Sequence, residues 1–400
     1  MVIPSYWART SDFGWREGDA VYDHPTPLDH DGTLLRALQS IKVLDDRDFE
    51  LVVIAVPVAS DIALQVEAKV SELLSQARVF GIEAHLFGPS HLRRIHEVLI
   101  EDGRGGDCDL LELRGYSNIR NLCLFAAHIF GSQTAVLIDD DEVFEDAEFM
   151  AKAREFIGGE HEGRPVHGVA GYYLQADGSY IVTKAHHAWM DYWDPHRQMN
   201  LAFEQTIGTE PRLKETTFVF GGNMVVDRAL FTKVPFDPLV TRGEDIDFLM
   251  NARMFGFDFF LDNQLSIKHL APSKTHPLWR QVREDIRRFL YERVKLDSQV
   301  DVPGMSRLSA ADLEPYPGTF LQGDLEAKIA DASRLLADEY RAEGDEAGAK
   351  ESMANAHIAL GDVVEVDPFT HLRELQRHWS EMMGYAGDEA VRQRLRDCLV

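Results

Sequence analysis

The segment AVLIDDDEVFED at residues 135–146 places an apolar run of strand length directly before the carboxylates Asp139, Asp140, Asp141 and Glu142. Ligands of open α/β sheets bind beyond the carboxyl ends of the strands. Carboxylates crowded at such a position raise one another's pKa unless a cation lies among them. Mg²⁺ and Mn²⁺ are hard cations that prefer oxygen ligands. The segment therefore predicts a divalent-metal site at the end of a buried strand.

Two other interpretations of the acidic run remain open. It could be a solvated turn that caps a helix at Asp146, or the Walker B strand of a phosphate-loop ATPase. The sequence contains no G-x-x-x-x-G-K-[ST] segment, which weakens the second interpretation. If strand geometry continues through the run, Asp139 and Asp141 point the same way because side chains alternate. The run alone does not rank its members as ligands, and Glu142 is expected to support the following helix.

The first part of the chain alternates between apolar runs of strand length and segments with helical periodicity. Such alternation is typical of βαβ units and a parallel sheet, so residues 1–145 are predicted to form a Rossmann-like half. The predicted strands are 51–57, 82–87, 110–113 and 135–138, and the predicted helices include 90–100 and 118–130.

The second part has a different pattern. A hairpin is predicted from strands 166–173 and 179–183 across the turn at Asp177-Gly178. The other predicted elements are strands at 217–226, 257–261 and 265–269, helices at 245–255 and 279–294, a Pro- and Gly-containing linker at 297–318, and an all-helical region at 323–400.

Charge and cysteine content limit the partners and the compartment. The 67 acidic and 41 basic residues give a net charge of −26, which disfavours nucleic acid and anionic membrane surfaces as partners. The three cysteines do not suggest a disulfide framework. The N-terminal segment lacks the pattern of a signal peptide, and no apolar run reaches the roughly 18 residues of a membrane span. A cytoplasmic enzyme without a transmembrane segment is expected.

The segments FGGNMVVDRALF (220–231) and TRGEDIDFLMNARMFG (241–256) contain the next candidates. Gly222 lets the backbone approach a ligand closely. Glu244 and Asp245 begin a predicted helix, where the helix dipole favours negative charge, so they could simply stabilise its start. The functional interpretation is that Asp245 removes the proton of an acceptor hydroxyl.

Basic and imidazole groups complete the candidate set. His269 ends a predicted strand, where it is either structural or a nitrogen ligand of the same metal. Arg120 and Asn121 lie near the start of a helix, which is a good position for a diphosphate but also an ordinary surface position. The basic segment that begins the 279–294 helix could contact phosphates or pair with acidic neighbours. Its candidates are Lys274, His276 and Arg280.

The sequence contains, in this order, the segments VIPSYW, LLRALQSI with LVVIAVP, IRN, IDDDE, GGNMVV, RGEDIDF with NARMFG, and IKHL. This ordered set resembles the GT-A glycosyltransferases, most closely glycosyltransferase family two. The resemblance covers roughly residues 1–275. It implies an α/β GT-A fold, Rossmann-like with a mostly parallel sheet flanked by helices, and an α-helical C-terminal extension lies beyond it. The predicted division is a glycosyltransferase domain at 1–275 (a nucleotide-sugar half at 1–145 and an acceptor half at 146–275), a basic helix and linker at 276–320, and a helical region at 321–400.

The resemblance also implies residue roles. Asp139 and Asp141 would be the acidic positions of the D-x-D motif and, with His269, would hold Mg²⁺ or Mn²⁺. Asp245 would be the acceptor-side base, with Glu244 beside it. The nucleotide sugar would contact Pro4, Ser5, Tyr6, Arg120, Asn121, Asp140, Gly222 and, as a weaker candidate, Asp61.

Two features depart from the family. The second strand ends in Val56-Pro57 where the family commonly has an acidic residue, which puts the base and ribose contacts in doubt. The insertion at 8–31 is longer than usual and would either shape a pocket for a small acceptor or pack on the sheet.

The predicted function is transfer of a sugar from a nucleoside-diphosphate sugar to a hydroxyl of a small or carbohydrate acceptor, with inversion. One alternative is a retaining GT-A enzyme that acts on a small polar acceptor such as a glycerate derivative. A second is a sugar nucleotidyltransferase, although the Gly-rich triphosphate loop near the first strand is missing. The C-terminal helices are a plausible homodimer surface.

Overall fold

The computed structural model describes residues 1–272, 276–358 and 366–399. The strands are β1 (Val2–Ala8), β2 (Thr26–Pro27), β3 (Val52–Pro57), β4 (His85–Phe87), β5 (Thr134–Ile138), β6 (Glu142–Val143), β7 (Glu160–His161), β8 (Arg164–Pro165), β9 (Gly168–Leu174), β10 (Leu213–Glu215), β11 (Asn223–Asp227) and β12 (Phe259–His269).

The helices surround these strands in the first part of the chain and follow them in the last part. They are α1 (Leu34–Ser40), α2 (Ala63–Val79), α3 (Pro89–Glu101), α4 (Tyr116–Ile129), α5 (Phe149–Glu155), α6 (Pro195–Thr206), α7 (Arg228–Phe231), α8 (Glu244–Met254), α9 (Leu278–Asp297), α10 (Leu325–Ala342), α11 (Glu346–Asn355), α12 (Pro368–Ala386) and α13 (Glu389–Asp397). No helix among the described residues combines the length and the apolar character that crossing a membrane requires.

The central sheet has the order β10-β12-β9-β11-β5-β1-β3-β4. Strands β4, β3, β1 and β5 are parallel. β3 is apolar and buried over its whole length, as is typical of a parallel strand covered on both faces, whereas in the edge strand β4 only Phe87 is buried. β11 is antiparallel to both β5 and β9, and β12 is parallel to β9. The carboxyl ends of β1, β5, β9 and β12 and the start of β11 therefore meet at one edge. The predicted α/β class, with a mostly parallel sheet and C-terminal helices, is confirmed.

The predicted hairpin between 166–173 and 179–183 is wrong. The first segment forms β9, but it pairs with β11 and β12 instead of with its neighbour in sequence. Residues 179–183 form no strand, because the Asn200 side chain takes the place of a partner strand. Its amide accepts from the Val182 N–H at 3.0 Å and donates to the Val182 carbonyl at 2.9 Å.

Three other strand predictions differ from the structure. Residues 110–113 form no strand; a short 3₁₀ helix at Gly105–Leu110 precedes them, and Leu110 and Leu111 are buried without pairing. The separate strands at 257–261 and 265–269 are one strand, β12, whose pairing with β9 shifts register between Leu261 and Ser266. β11 begins only at Asn223, after the two glycines.

The C-terminal helices pack directly on the sheet domain. The indole N–H of Trp379 on α12 donates to the Phe231 carbonyl at 2.9 Å, and a ring nitrogen of His128 on α4 lies 2.7 Å from the Met383 carbonyl. Residues of both parts belong to one hydrophobic core. The helical character of this region is confirmed within 325–358 and 366–399. The division at residues 275 and 320 stays a prediction, as does a homodimer through these helices.

A buried ion network connects α8, α9 and the loop before α8. Lys295 on α9 is fully buried, and its ammonium donates to Asp247 at 2.5 Å and to Asn251 at 3.0 Å. Asp237 lies 3.4 Å from the same ammonium and accepts from the Tyr291 hydroxyl at 2.8 Å. One cation thus neutralises two carboxylates in a position that water does not reach.

Replacing Lys295 by methionine should destabilise the protein strongly. The substitution leaves Asp247 buried without a cation and Asp237 with only the His371 imidazole at 3.3 Å, and breaking a buried pair in this way costs about 3–5 kcal/mol. The free energy of unfolding in urea measures the effect. Arg377→Met is the control, because its ion pair with Glu381 on α12 is exposed at both ends and should contribute less than about 1 kcal/mol.

Candidate active site

A cleft of about 320 Å³ opens at the edge of the sheet where β1, β5, β9 and β12 end. Its lining includes Asp139, Asp141 and His269 from the strand ends and Glu244 and Asp245 from the start of α8. The structure thus brings together candidates that are more than one hundred residues apart in sequence. This convergence follows from the strand directions, because parallel strands present their carboxyl ends at the same edge.

The acidic run turns its members in different directions. Asp139 faces Arg120, with ion-pair distances of 2.8 Å and a hydrogen bond of 3.1 Å. Asp140 turns toward β1, where it accepts a 2.5 Å hydrogen bond from Ser5, and Ser5 in turn accepts from the Trp7 indole N–H at 2.9 Å. Burial and the adjacent Asp141 raise the pKa of Asp140 well above its usual value. Asp140 and Ser5 therefore hold β1 and β5 together behind the cleft.

Asp141 and His269 form a pair that faces the cleft. The carboxylate lies 3.3 Å from Nε2 of His269, and the His269 ring stacks on Tyr173 with centroids 4.8 Å apart. The pairing of β6 with β12 creates this contact, and the Leu270 N–H donates to the Asp141 carbonyl at 3.0 Å. Burial alone would raise the pKa of Asp141, but the hydrogen bond and charge of His269 hold it below its usual value.

Glu142 folds back under the acidic run instead of supporting the following helix. Its carboxylate accepts from the Asp139 N–H at 3.0 Å and is fully buried. Burial, and next the charge of Asp139, raise the pKa of Glu142 well above its usual value. A side chain at Gly222 would overlap both Glu142 and Asp139, so this glycine is required for the close approach of β11 to the acids.

Arg120 is the buried cation at the centre of the site. Besides Asp139, its guanidinium contacts Glu244 at 3.4 Å. Its side chain is only 4% exposed, so it neutralises carboxylates of both walls in a medium of low dielectric constant. Gly221 leaves room for it, because a Cβ at that position would overlap the guanidinium.

Glu244 and Asp245 begin α8, directly after Gly243 in the left-handed conformation at φ 72°. Burial and the adjacent Asp245 raise the pKa of Glu244 to about 7, against the opposing charge of Arg120. The Asp245 carboxylate accepts from the backbone N–H groups of Gly221 at 3.1 Å and of Ile246 at 2.8 Å. Burial raises the pKa of Asp245 as well.

Other donor-site candidates lie behind or outside the cleft. Asn121 is fully buried and uses both ends of its amide on the Phe236 backbone, at 2.9 and 2.8 Å. Pro4 pairs within the sheet opposite Ile54. Asp61 is exposed and pairs with Arg9 at 2.7 Å.

Tyr6 packs in a ring cluster at the back of the cleft. Its ring centroid lies 4.5 Å from that of Tyr22 and 5.4 Å from that of Tyr116. Tyr116 itself lines the cleft. Tyr22 belongs to the insertion at 8–31, so part of that insertion packs against the end of β1, as one of the two sequence interpretations expected.

The predicted phosphate contacts lie at the rim. Arg280 covers the ring of Trp15 from the insertion, 4.3 Å from its centroid, and His276 lies 3.5 Å from the Arg280 guanidinium. Lys274 falls outside the described residues. Neither His276 nor Arg280 lines the cleft.

Arg242 and Arg288 line the cleft instead. The sequence analysis did not consider Arg242, and it treated Arg288 only as one of several basic residues on the predicted 279–294 helix. Arg242 donates to Asp285 at 2.8 Å and to Asp23 at 3.2 Å. Arg288 donates to the Tyr316 hydroxyl at 2.7 Å. The helical period offers a signal for Arg288, because the buried Tyr291 follows it by three positions and therefore lies on the same face of α9.

Asp141 and His269 fit a divalent metal as a two-ligand site. Within residues 1–272, 276–358 and 366–399, no three His, Cys, Asp or Glu side chains form a ready metal cage. Mg²⁺ commonly binds through one or two carboxylates and takes its other ligands from water and substrate phosphates. An ionised carboxylate beside an imidazole, both facing the cleft, suits Mg²⁺ or Mn²⁺ in that manner.

Comparisons with known proteins give matches to solved structures alone. No protein-family model matches the chain, and no curated protein matches it. A mannosyltransferase from Pyrobaculum calidifontis, in complex with GDP-Man and Mn²⁺, matches at 14% identity with a TM-score of 0.47, over 97% of this chain and 86% of that chain. A mycobacterial protein matches at 15% identity with a TM-score of 0.40, over 72% and 71% of the two chains.

A third solved structure, GalNAc-T7 with UDP, GalNAc and Mn²⁺, matches at 12% identity with a TM-score of 0.37, over 74% of this chain and 51% of that chain. At these identities and TM-scores, the similarities assign neither a family nor a function. Membership of glycosyltransferase family two stays a prediction.

Replacing Arg120 by methionine should destabilise the protein by about 3–5 kcal/mol at neutral pH, because Asp139 and Glu244 then lack their shared cation. Adding Asp139→Asn to that variant should recover about 1 kcal/mol or more, since one of the uncompensated charges is removed. Urea unfolding of the single and double variants measures both values. Arg334→Met, on the exposed face of α10, is the control and should change stability by less than about 1 kcal/mol.

Proposed function

We propose that the protein is a metal-dependent GT-A glycosyltransferase that moves a sugar from a nucleoside-diphosphate sugar to an acceptor hydroxyl. One observation carries the proposal. The Asp141–His269 pair and the Glu244–Asp245 pair face each other across one cleft, at the edge of the sheet where α/β proteins bind ligands. One wall suits a metal-bound diphosphate, and the other suits a hydroxyl that must lose its proton.

On the donor side, Asp141 and His269 would hold the metal. A bound Mg²⁺ or Mn²⁺ neutralises the negative charge that develops on the departing nucleoside diphosphate. The low pKa of Asp141 keeps its carboxylate ionised at neutral pH. Asp139 reaches the same cleft, but its oxygens face Arg120, so we rank it behind the other two as a ligand.

On the acceptor side, Asp245 would act as the base. The N–H groups of Gly221 and Ile246 fix its carboxylate in the cleft, and its raised pKa makes it a better proton acceptor than an exposed aspartate. Asp245 takes the proton of the acceptor hydroxyl as the hydroxyl oxygen bonds to the anomeric carbon and the bond to the diphosphate breaks. Attack opposite the leaving group inverts the anomeric configuration.

Donor binding should require both the metal and the Asp141–His269 pair. Among UDP-, GDP- and ADP-sugars, we expect one donor to raise the melting temperature only when Mn²⁺ or Mg²⁺ is present. Asp141→Asn and His269→Ala should abolish that shift, because each removes a metal ligand.

Glu145→Gln is the matched control for this measurement. Glu145 also joins β12 to the segment after β5, through Lys268 at 3.1 Å, but it is exposed and does not line the cleft. It should keep the full metal-dependent shift. Retention of that shift in folded Asp141→Asn and His269→Ala protein would contradict the proposed metal site.

Asp245→Asn should lower the rate of transfer by about 10²–10⁴-fold, the usual contribution of a positioned base, while the donor-induced thermal shift is kept. The anomeric configuration of the product, determined by NMR, tests the same assignment. Inversion agrees with Asp245 as base. Retention, or undiminished transfer by the variant, would refute this role.

A further inference from the structure

A second pocket, which we call the tryptophan pocket, adjoins the cleft between residues 184–196 and α9 and has a volume of about 320 Å³. Trp189 and Trp193 line it from the first segment, and Val282 lines it from α9. Arg242 and Asp285 line both the cleft and this pocket. A molecule bound beside Asp245 can therefore extend past this ion pair into the tryptophan pocket.

The walls of the tryptophan pocket are held by the C-terminal part of the chain. Trp193 packs against Phe289 on α9 and against Phe320, with ring centroids 5.6 and 5.2 Å apart. His187 stacks on Trp189 at 6.2 Å and lies 2.7 Å from the carboxylate of Glu339 on α10. Side chains fixed in this way lose little freedom on binding, which favours affinity for a ligand of matching shape.

Both indole rings also carry an unused hydrogen-bond donor. The Nε1 atoms of Trp189 and Trp193 are buried and have no acceptor among the described residues. A buried tryptophan N–H usually has a partner. Both nitrogens have almost no exposed surface, so a ligand oxygen accepts from them only when the indole rings turn toward the pocket.

The charges around the cleft disfavour an anionic acceptor. In the described part of the chain, each cleft-lining arginine already has protein partners. Arg120 contacts Asp139 and Glu244, Arg242 contacts Asp23 and Asp285, and Arg288 contacts Tyr316 and lies 3.5 Å from Glu292. A carboxylate or phosphate on the acceptor would compete with these partners and would approach Asp245, which is itself an acid.

We propose that the acceptor is an uncharged saccharide, one ring of which binds in the tryptophan pocket while the next ring presents its hydroxyl to Asp245. This inference rests on the proposed function. A pyranose ring has C–H faces that suit an indole and a rim of hydroxyls that suit the indole N–H groups, Gln281 and Asp285. It replaces the glycerate-type acceptor considered from the sequence. Lys184 also lines the tryptophan pocket, so the acidic acceptors in the test below challenge this assignment directly.

The test measures two reactions on the same samples, with the sugar nucleotide that gives the thermal shift. Hydrolysis of the donor needs the metal pair but not the tryptophan pocket. Transfer is measured to the neutral disaccharides maltose, cellobiose, lactose and chitobiose, to the acidic forms maltobionate and lactobionate, and to 3-phosphoglycerate. We expect transfer to at least one neutral disaccharide, and less transfer to the acidic acceptors.

Three variants assign that transfer to the tryptophan pocket. Ala185→Trp fills the pocket from an exposed position in its lining and should raise the KM of the disaccharide by about tenfold or more. Ala188→Trp is the matched control, exposed in the same segment but outside the lining, and should change KM less than about twofold. Trp189→Phe keeps a ring but loses the N–H, and should raise KM several-fold. Ala188→Trp should also keep the wild-type rate of donor hydrolysis.

Several outcomes overturn the inference. These are preference for an acidic acceptor, an unchanged KM in Ala185→Trp, and donor hydrolysis without transfer to any of the neutral disaccharides. A wild-type protein that hydrolyses no sugar nucleotide in the presence of metal refutes the proposed function itself, and this inference with it. Donor hydrolysis therefore separates failure of the acceptor assignment from failure of the enzyme assignment.

Discussion

The contact of Arg120 with Asp139 and Glu244 is the interaction on which the site depends. The carboxylates at this sheet edge, those of Asp139, Asp141, Glu244 and Asp245, would repel one another in a medium of low dielectric constant. One buried guanidinium between the two walls offsets part of that repulsion and fixes the distance between them. The glycines at 221 and 222 serve the same contact, because side chains there would occupy the space of Arg120 and of the acids.

Much of the architecture could be predicted from the sequence, because runs of adjacent residues identify its strands and helices. Continuous apolar runs identified β3 and β5, and the acidic residues directly after β5 identified the functional edge. His269 could be placed at the same edge because it ends an apolar strand. The hairpin after β9 could not be predicted, since a single distant side chain, Asn200, replaces the expected partner strand. No local sequence pattern indicates that a distant side chain will take the place of a strand.

Residue roles were harder to predict than elements, for a physical reason. Arg120 and Asn121 are neighbours on one helix, but a rotation of about 100° per residue turns one toward the cleft and the other toward the Phe236 backbone. Arg288 and Arg280 share α9, yet the first reaches the cleft and the second covers Trp15 at the rim. Sequence composition identified the basic helix α9. Which of its arginines lines the cleft depends on which face of the helix packs against the rest of the protein.

The pairing of β6 with β12 has a consequence for biosynthesis. The two members of the Asp141–His269 pair are separated by residues 142–268, and β12 is the last strand of the sheet in chain order. A growing polypeptide on the ribosome therefore cannot assemble this pair until β12 has emerged. Contacts of such long range form late and slowly compared with helices. Affinity for a metal and its ligand would thus appear only with the completed sheet, and ligand binding would stabilise the finished fold over every shorter intermediate.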